Sequence, residues 1–129
     1  MTESKRKVVV VDDTAIFGLT MSLEFRAAGW DVYCCGSAAD ALKKLAGTHY
    51  DLVISDLNMP GMGGIELALE LKKKYPTTKV ILMSSQPRDR VQGLPPGVPF
   101  LEKPVKVKMV LEAFENACRA PVPPPPPKA

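Results

Sequence analysis

Histidine and cysteine are scarce: the 129 residues contain one His and three Cys. His49 stands alone, and no two cysteines have the spacing of a zinc site, so soft-metal chemistry is disfavoured. Cys34 and Cys35 are adjacent and on a strand would point to opposite faces, poorly placed to bridge each other. With Cys118 they make an odd count that suits reduced, structural thiols in a cytosolic protein. A basic stripe is also missing. The net charge is only +3, and the runs Lys5-Arg6-Lys7 and Lys72-Lys73-Lys74 read as solvated surface, the second at the negative end of a helix. That argues against direct nucleic-acid binding. No apolar stretch approaches the roughly 20 residues a membrane-spanning helix needs. The N-terminus is polar and lacks an apolar signal core. These absences predict a cytoplasmic protein with no membrane partner. No glycine-rich turn follows the first apolar run, which makes dinucleotide binding a poor fit.

Proline is what the chain has in excess, and it falls mainly in two places. Residues 121–127 are nearly all proline and predict an extended tail or linker, residues 120–129, after one domain over residues 1–119. The length fits one domain with a real core and is too short for two ordinary ones. The tail leaves open whether the chain continues into an output domain. A second set, Pro87, Pro95, Pro96 and Pro99, lies where a helix should separate two strands. Proline removes a backbone donor and clashes with the preceding turn, so at most one or two helical turns are expected there, near Arg88 to Gln92.

Elsewhere strand-like and helix-like stretches alternate. Strands are expected at Val8 to Val11, Asp31 to Cys35, Asp51 to Ser55, Lys79 to Met83 and Val98 to Leu101. After Asp13, Ile16, Leu19, Leu23 and Ala27 recur at helical spacing until Gly29 ends the helix. Ser37 to Asp40 has the form of a capping box, with Ala38, Ala41, Leu42 and Leu45 on one helical face. A helix from about Ile65 to Lys74 stops at Tyr75-Pro76. Val107, Val110, Leu111, Phe114 and Cys118 mark the expected buried side of a last helix. Such alternation predicts an α/β fold: one doubly wound parallel sheet with right-handed crossovers. Sites in these sheets form at the carboxyl ends of strands.

Those ends carry the chemistry. Asp12 and Asp13 close the first strand, Asp56 the third, Ser84-Ser85 the fourth, and Lys103 the fifth. Brought together, three carboxylates need a cation or protons. Hard oxygen ligands suit Mg²⁺, which shares a phosphate readily. Asp13 and Asp56 are the expected direct ligands. Asp12 would act directly or through water, and the Asn58 backbone carbonyl could add another oxygen. A fixed carboxylate can accept a phosphoryl group, and Asp56, alone at the central strand end, is the best nucleophile. Mg²⁺, the Lys103 ammonium and the Ser84 hydroxyl could then each meet one phosphoryl oxygen. Taken singly, an aspartate after a strand is often a helix cap and a Lys-Pro an ordinary loop. Their occurrence at successive strand ends favours a site.

The residues resemble the receiver domain of two-component response regulators. The similarity covers about residues 6–119. Asp12-Asp13 after four valines resembles that family's acidic pair. Ile54 to Met62 resembles its phospho-acceptor loop, closely that of the chemotaxis regulator. Ser84, Phe100 and Lys103-Pro104 resemble its switch hydroxyl, switch aromatic and Lys-Pro step. The resemblance implies a five-stranded flavodoxin-like sheet in the order 2-1-3-4-5. It implies Mg²⁺-dependent transfer from a histidine kinase or phosphotransfer protein to Asp56. It also implies movement of Ser84 and Phe100 that shifts a population between two states and alters contacts with a downstream protein or fused output domain. The chain departs from the pattern at Gly63, where aspartate is usual, and at Phe100, where tyrosine is commoner. The proline-broken helix before Phe100 is a third departure and predicts an unusual output face.

Two alternatives remain at this level. A receiver-like interaction module could work without phosphorylation. A Mg²⁺-dependent small-molecule phosphatase would usually carry a second aspartate two residues after the nucleophile, where this chain has Asn58. The expected protein is a signalling domain and not an enzyme with a substrate of its own.

Overall fold

Runs of valine, isoleucine and leucine form the strands of this chain, since β-branched and aliphatic side chains suit a pleated surface buried on both faces. The computed structural model describes residues 5–59, 61–87 and 90–119. Its strands are β1 (Lys7–Val11), β2 (Asp31–Cys35), β3 (Leu52–Asp56), β4 (Lys79–Ser84) and β5 (Phe100–Glu102). All neighbours pair in parallel, in the order β2-β1-β3-β4-β5. Four α-helices occur among the described residues: α1 (Ala15–Ala27), α2 (Ala38–Gly47), α3 (Gly64–Lys74) and α4 (Val107–Arg119). This is the doubly wound parallel sheet that the alternation predicts, in the flavodoxin-like order that the resemblance implies.

Strand alternation divides the core into two layers. Val9, Val11, Val53 and Leu82 pack with Ala41, Leu45, Leu67 and Leu71 of α2 and α3. Val8, Val10, Ile54 and Met83 pack with Met21, Phe25, Val110 and Phe114 of α1 and α4. Trp30 ties that second layer together, its ring edge-on to Phe25 at 5.5 Å and to Phe114 at 5.2 Å. Helix ends follow local chemistry. The Ser37 hydroxyl accepts from the Asp40 amide at the start of α2. Gly29, at φ +92°, reverses the chain after α1, where the Trp30 amide donates to the Phe25 carbonyl.

Several expectations change. Ile16, Leu19 and Leu23 reveal α1 by their spacing but face solvent, at 78, 63 and 60% exposure. The buried side of α1 is Gly18, Met21, Ser22 and Phe25. Cys118 is exposed, one turn past the last buried residue of α4, Phe114. β5 begins at Phe100 and not at Val98, because the Val98 amide turns back to the Pro95 carbonyl.

Between Gln86 and Gly97 no α-helix forms among the described residues. The Arg90 amide donates to the Pro87 carbonyl. Arg88 and Asp89, the start of the expected short helix, lie outside the described residues. Val91, Leu94 and Val98 instead pack against the α2–α3 layer. The Lys72 ammonium, on α3, donates to the Pro96 carbonyl at 2.6 Å. The proline tail likewise lies outside the described residues.

Candidate functional site

Parallel pairing sets the strand ends level with one another. The Asp12 amide continues the ladder onto the Cys35 carbonyl, the Leu57 amide onto Met83, and the Lys103 amide onto Ser84. Asp12, Asp56, Ser84 and Lys103 therefore emerge along one edge, where the strand order reverses between β1 and β3.

Carboxylate oxygens of Asp12, Asp13 and Asp56 all lie within 4.8 Å of one another. Asp12 and Asp56 are buried, while Asp13 is exposed. One Asp12 oxygen accepts from the Thr14 amide at 2.7 Å, the other from Lys103 Nζ at 3.0 Å. Asp56 accepts from the Asn58 amide at 3.3 Å and, through Oδ2, from Lys103 Nζ at 3.1 Å. The lysine thus bridges two of the three carboxylates. Partial burial pushes its ammonium towards deprotonation, but hydrogen bonds to Asp12 and Asp56, with their charge, outweigh that and leave its pKa raised. Three carboxylates and one ammonium carry a net of two negative charges.

That donor set fits a hard divalent cation: oxygen ligands only, a charge deficit, and one exposed carboxylate facing solvent. Thiols are not part of it. Burial pushes Cys35 up to about 11, so it stays a neutral thiol at ordinary pH. Asn58 is exposed beside the cluster, its amide turned onto Asp56.

Ser84 ends β4, the strand beside that of Asp56, and Phe100 begins β5. Ser84 is fully buried, and its hydroxyl accepts from the Gln86 amide at 3.0 Å. Phe100 is half-buried against the α2–α3 layer, in register with Leu82. Ser84 lies two residues beyond Leu82, so alternation puts Ser84 and Phe100 on the same face of the sheet. The Lys103–Pro104 peptide bond is cis.

Two contributors escaped the sequence reading. Gly64 starts α3 so close to β3 that a Cβ there would collide with the Asp56 carbonyl and sit 3.0 Å from Leu57 Cα. The Gly63-Gly64 pair was the available signal. Phe17, on α1, places its ring 5.0 Å from Lys103 Nζ. Nothing in the spacing singles it out.

A model of the response regulator receiver domain matches residues 8–115 of the chain. Among solved structures, the response regulator protein TrrA of Thermotoga maritima, in complex with Mg²⁺ and BeF, is 27% identical with a TM-score of 0.77. The match covers 87% of this chain and 98% of that one. The chemotaxis response regulator CheY4 of Vibrio cholerae is 26% identical, TM-score 0.74, covering 88% and 99%. A response regulator receiver domain protein from Clostridium thermocellum is 25% identical, TM-score 0.76, covering 87% and 93%.

Proposed function

The chain belongs to the response regulator receiver domain family, and from that premise we propose that Asp56 is its phospho-acceptor in a two-component phosphorelay. The supporting observation is the Lys103 ammonium bridging Asp12 and Asp56 beside Asp13, with three carboxylates within 4.8 Å. Asp12, Asp13 and Asp56, with the Asn58 carbonyl, would hold Mg²⁺. The bound ion would neutralise the carboxylates and draw negative charge off a transferring phosphoryl group. The Mg²⁺–BeF complex of the Thermotoga maritima relative supports that assignment.

The donor is a phosphohistidine of a histidine kinase or phosphotransfer protein. An Asp56 oxygen attacks phosphorus, the O–P bond forms, and the donor's N–P bond breaks as its imidazole leaves. Lys103 stays charged across the physiological range, because its pKa is raised, and can meet one phosphoryl oxygen. The Ser84 hydroxyl meets another. Phe100, without a hydroxyl of its own, then moves into the space on the shared face. The readout is a changed surface along the 86–99 segment, β5 and α4, met by a downstream protein or a fused output domain. Residues 1–119 are the working unit, and residues 120–129 its tail or linker. Among the described residues no helix is long and apolar enough to cross a membrane. We place the protein in the cytoplasm, where histidine kinases present their phosphoryl groups.

The test is incubation with Mg²⁺ and acetyl phosphate, followed by intact mass. Wild type gains one phosphoryl group, and the Asp56→Asn variant gains none. No gain in wild type would favour the phosphate-independent interaction module, which the absence of an α-helix before Phe100 among the described residues makes the second reading.

A further inference from the structure

Lys103 has a third neighbour besides the two carboxylates: the ring of Phe17, 5.0 Å from Nζ to centroid. We propose that Phe17 is a positioning residue for Lys103, its ring face holding the ammonium at the mouth of the acidic cluster within reach of a phosphoryl group on Asp56. The inference rests on the phospho-acceptor reading above.

A lysine side chain has four rotatable bonds and a strongly hydrated head, so its charge does not stay in one place unless something confines it. Here the ammonium lies 3.0 Å from Asp12 and 3.1 Å from Asp56. A divalent cation at the cluster would engage these same carboxylates and repel the ammonium. The aromatic face attracts a cation through its quadrupole and offers no oxygen that a metal could take. It can therefore hold Lys103 close while the carboxylates change partners. Phe17 is itself held in place. It is half-buried, packs against the α1–α4 layer, and sits between the exposed Ile16 and the buried Gly18. Thr14, Phe17, Thr20, Lys103, Pro104 and Val105 line one cleft, so Phe17 and Lys103 border the same open space. Apolar packing alone would account for a large residue at position 17, but any aliphatic side chain would satisfy it.

The whole chain is compared with Phe17→Leu, Phe17→Met and Phe17→Tyr, after thermal melts identify the folded variants. Two aliphatic variants are used so that one folded variant suffices. The first readout is NMR of the Lys103 methylene next to Nζ, assigned by its loss in Lys103→Met. An overlying ring shifts that resonance upfield. The shift persists in Phe17→Tyr and disappears in Phe17→Leu and Phe17→Met. The second readout is the rate of phosphoryl gain from acetyl phosphate with Mg²⁺. The aliphatic variants slow by roughly two- to fivefold, and tyrosine restores the rate. Wild-type rates in the aliphatic variants, or an equal loss with tyrosine, would overturn the proposal. If wild type takes up no phosphoryl group, the phospho-acceptor reading fails. The NMR shift then decides the contact alone: its presence in wild type and Phe17→Tyr supports positioning, and its absence from wild type overturns it.

Discussion

Gly64 shows how one missing methyl group can set the position of the proposed phospho-acceptor carboxylate. Its amide donates to the Leu57 carbonyl at 3.0 Å, drawing the start of α3 onto the end of β3. A Cβ at this position would meet the carbonyl of Asp56 itself. Phosphoryl transfer depends on sub-ångström placement of the attacking group. Gly64→Ala is therefore expected to destabilise the fold by about 1–3 kcal/mol, as overpacking does, and to slow phosphorylation of Asp56. Gly47→Ala is the control. Gly47 ends α2, and a methyl group added there would have nothing within 4 Å. Alanine at that position should stabilise by about 0.4–1 kcal/mol through the unfolded chain. Urea midpoints of the two variants should move in opposite directions; movement in the same direction would remove the steric account.

At the scale of elements, α1 separates what periodicity reports from what burial decides. Ile16, Leu19 and Leu23 fall on one helical stripe, yet all three lie on the outer face. The inner face uses Gly18, Met21, Ser22 and Phe25. Gly18 faces β2, where the Cys34 thiol donates to its carbonyl at 3.3 Å. Phe25 carries the packing against Trp30. Phe25→Ala should cost about 3–5 kcal/mol, the range for a buried aromatic. Replacing Leu19 and Leu23 by glutamine should change stability by no more than about 0.5 kcal/mol each, because surface sites carry little packing. Thermal melts of the two variants test this; a large loss in the glutamine variant would place those leucines inside. The segment from Gln86 to Gly97 is the second lesson at this scale. Four prolines from 87 to 99 predict at most one or two helical turns, but not how the rest of the segment packs. Lys72 holds the Pro96 carbonyl, and Val91, Leu94 and Val98 pack on the α2–α3 layer, so irregular chain covers apolar surface there.

At the scale of the whole molecule, the site joins strands far apart in sequence: Lys103 is 91 residues from Asp12 and 47 from Asp56. Occupying it should therefore stabilise the folded state as a unit. With Mg²⁺ at about 100 times its Kd, unfolding should cost about 2.7 kcal/mol more if, as proposed, the ion binds the assembled cluster and not the unfolded chain. Chemical denaturation with Mg²⁺ and again with EDTA measures this. Asp13→Asn should shrink the difference, as it removes the exposed ligand without disturbing the buried Asp12 and Asp56. An unchanged difference in that variant would take Asp13 out of the ligand set.

The fold class was legible in the sequence because each strand is a short apolar run and each helix has caps or periodic apolar residues, all local signals. The acidic residues and Lys103 were legible because they directly follow those runs, and a parallel sheet brings strand ends to one edge. Other features depended on contacts between distant segments. Which face of α1 is buried depends on its approach to β2. The exposure of Cys118 depends on where α4 leaves the core. The collision that makes Gly64 necessary depends on how α3 meets β3, and the Phe17 ring over Lys103 on where α1 and the end of β5 meet. Local sequence sets propensity and order along the chain. Close packing between elements, which no single stretch encodes, decides which side chains touch and so which residues surround the carboxylate of Asp56.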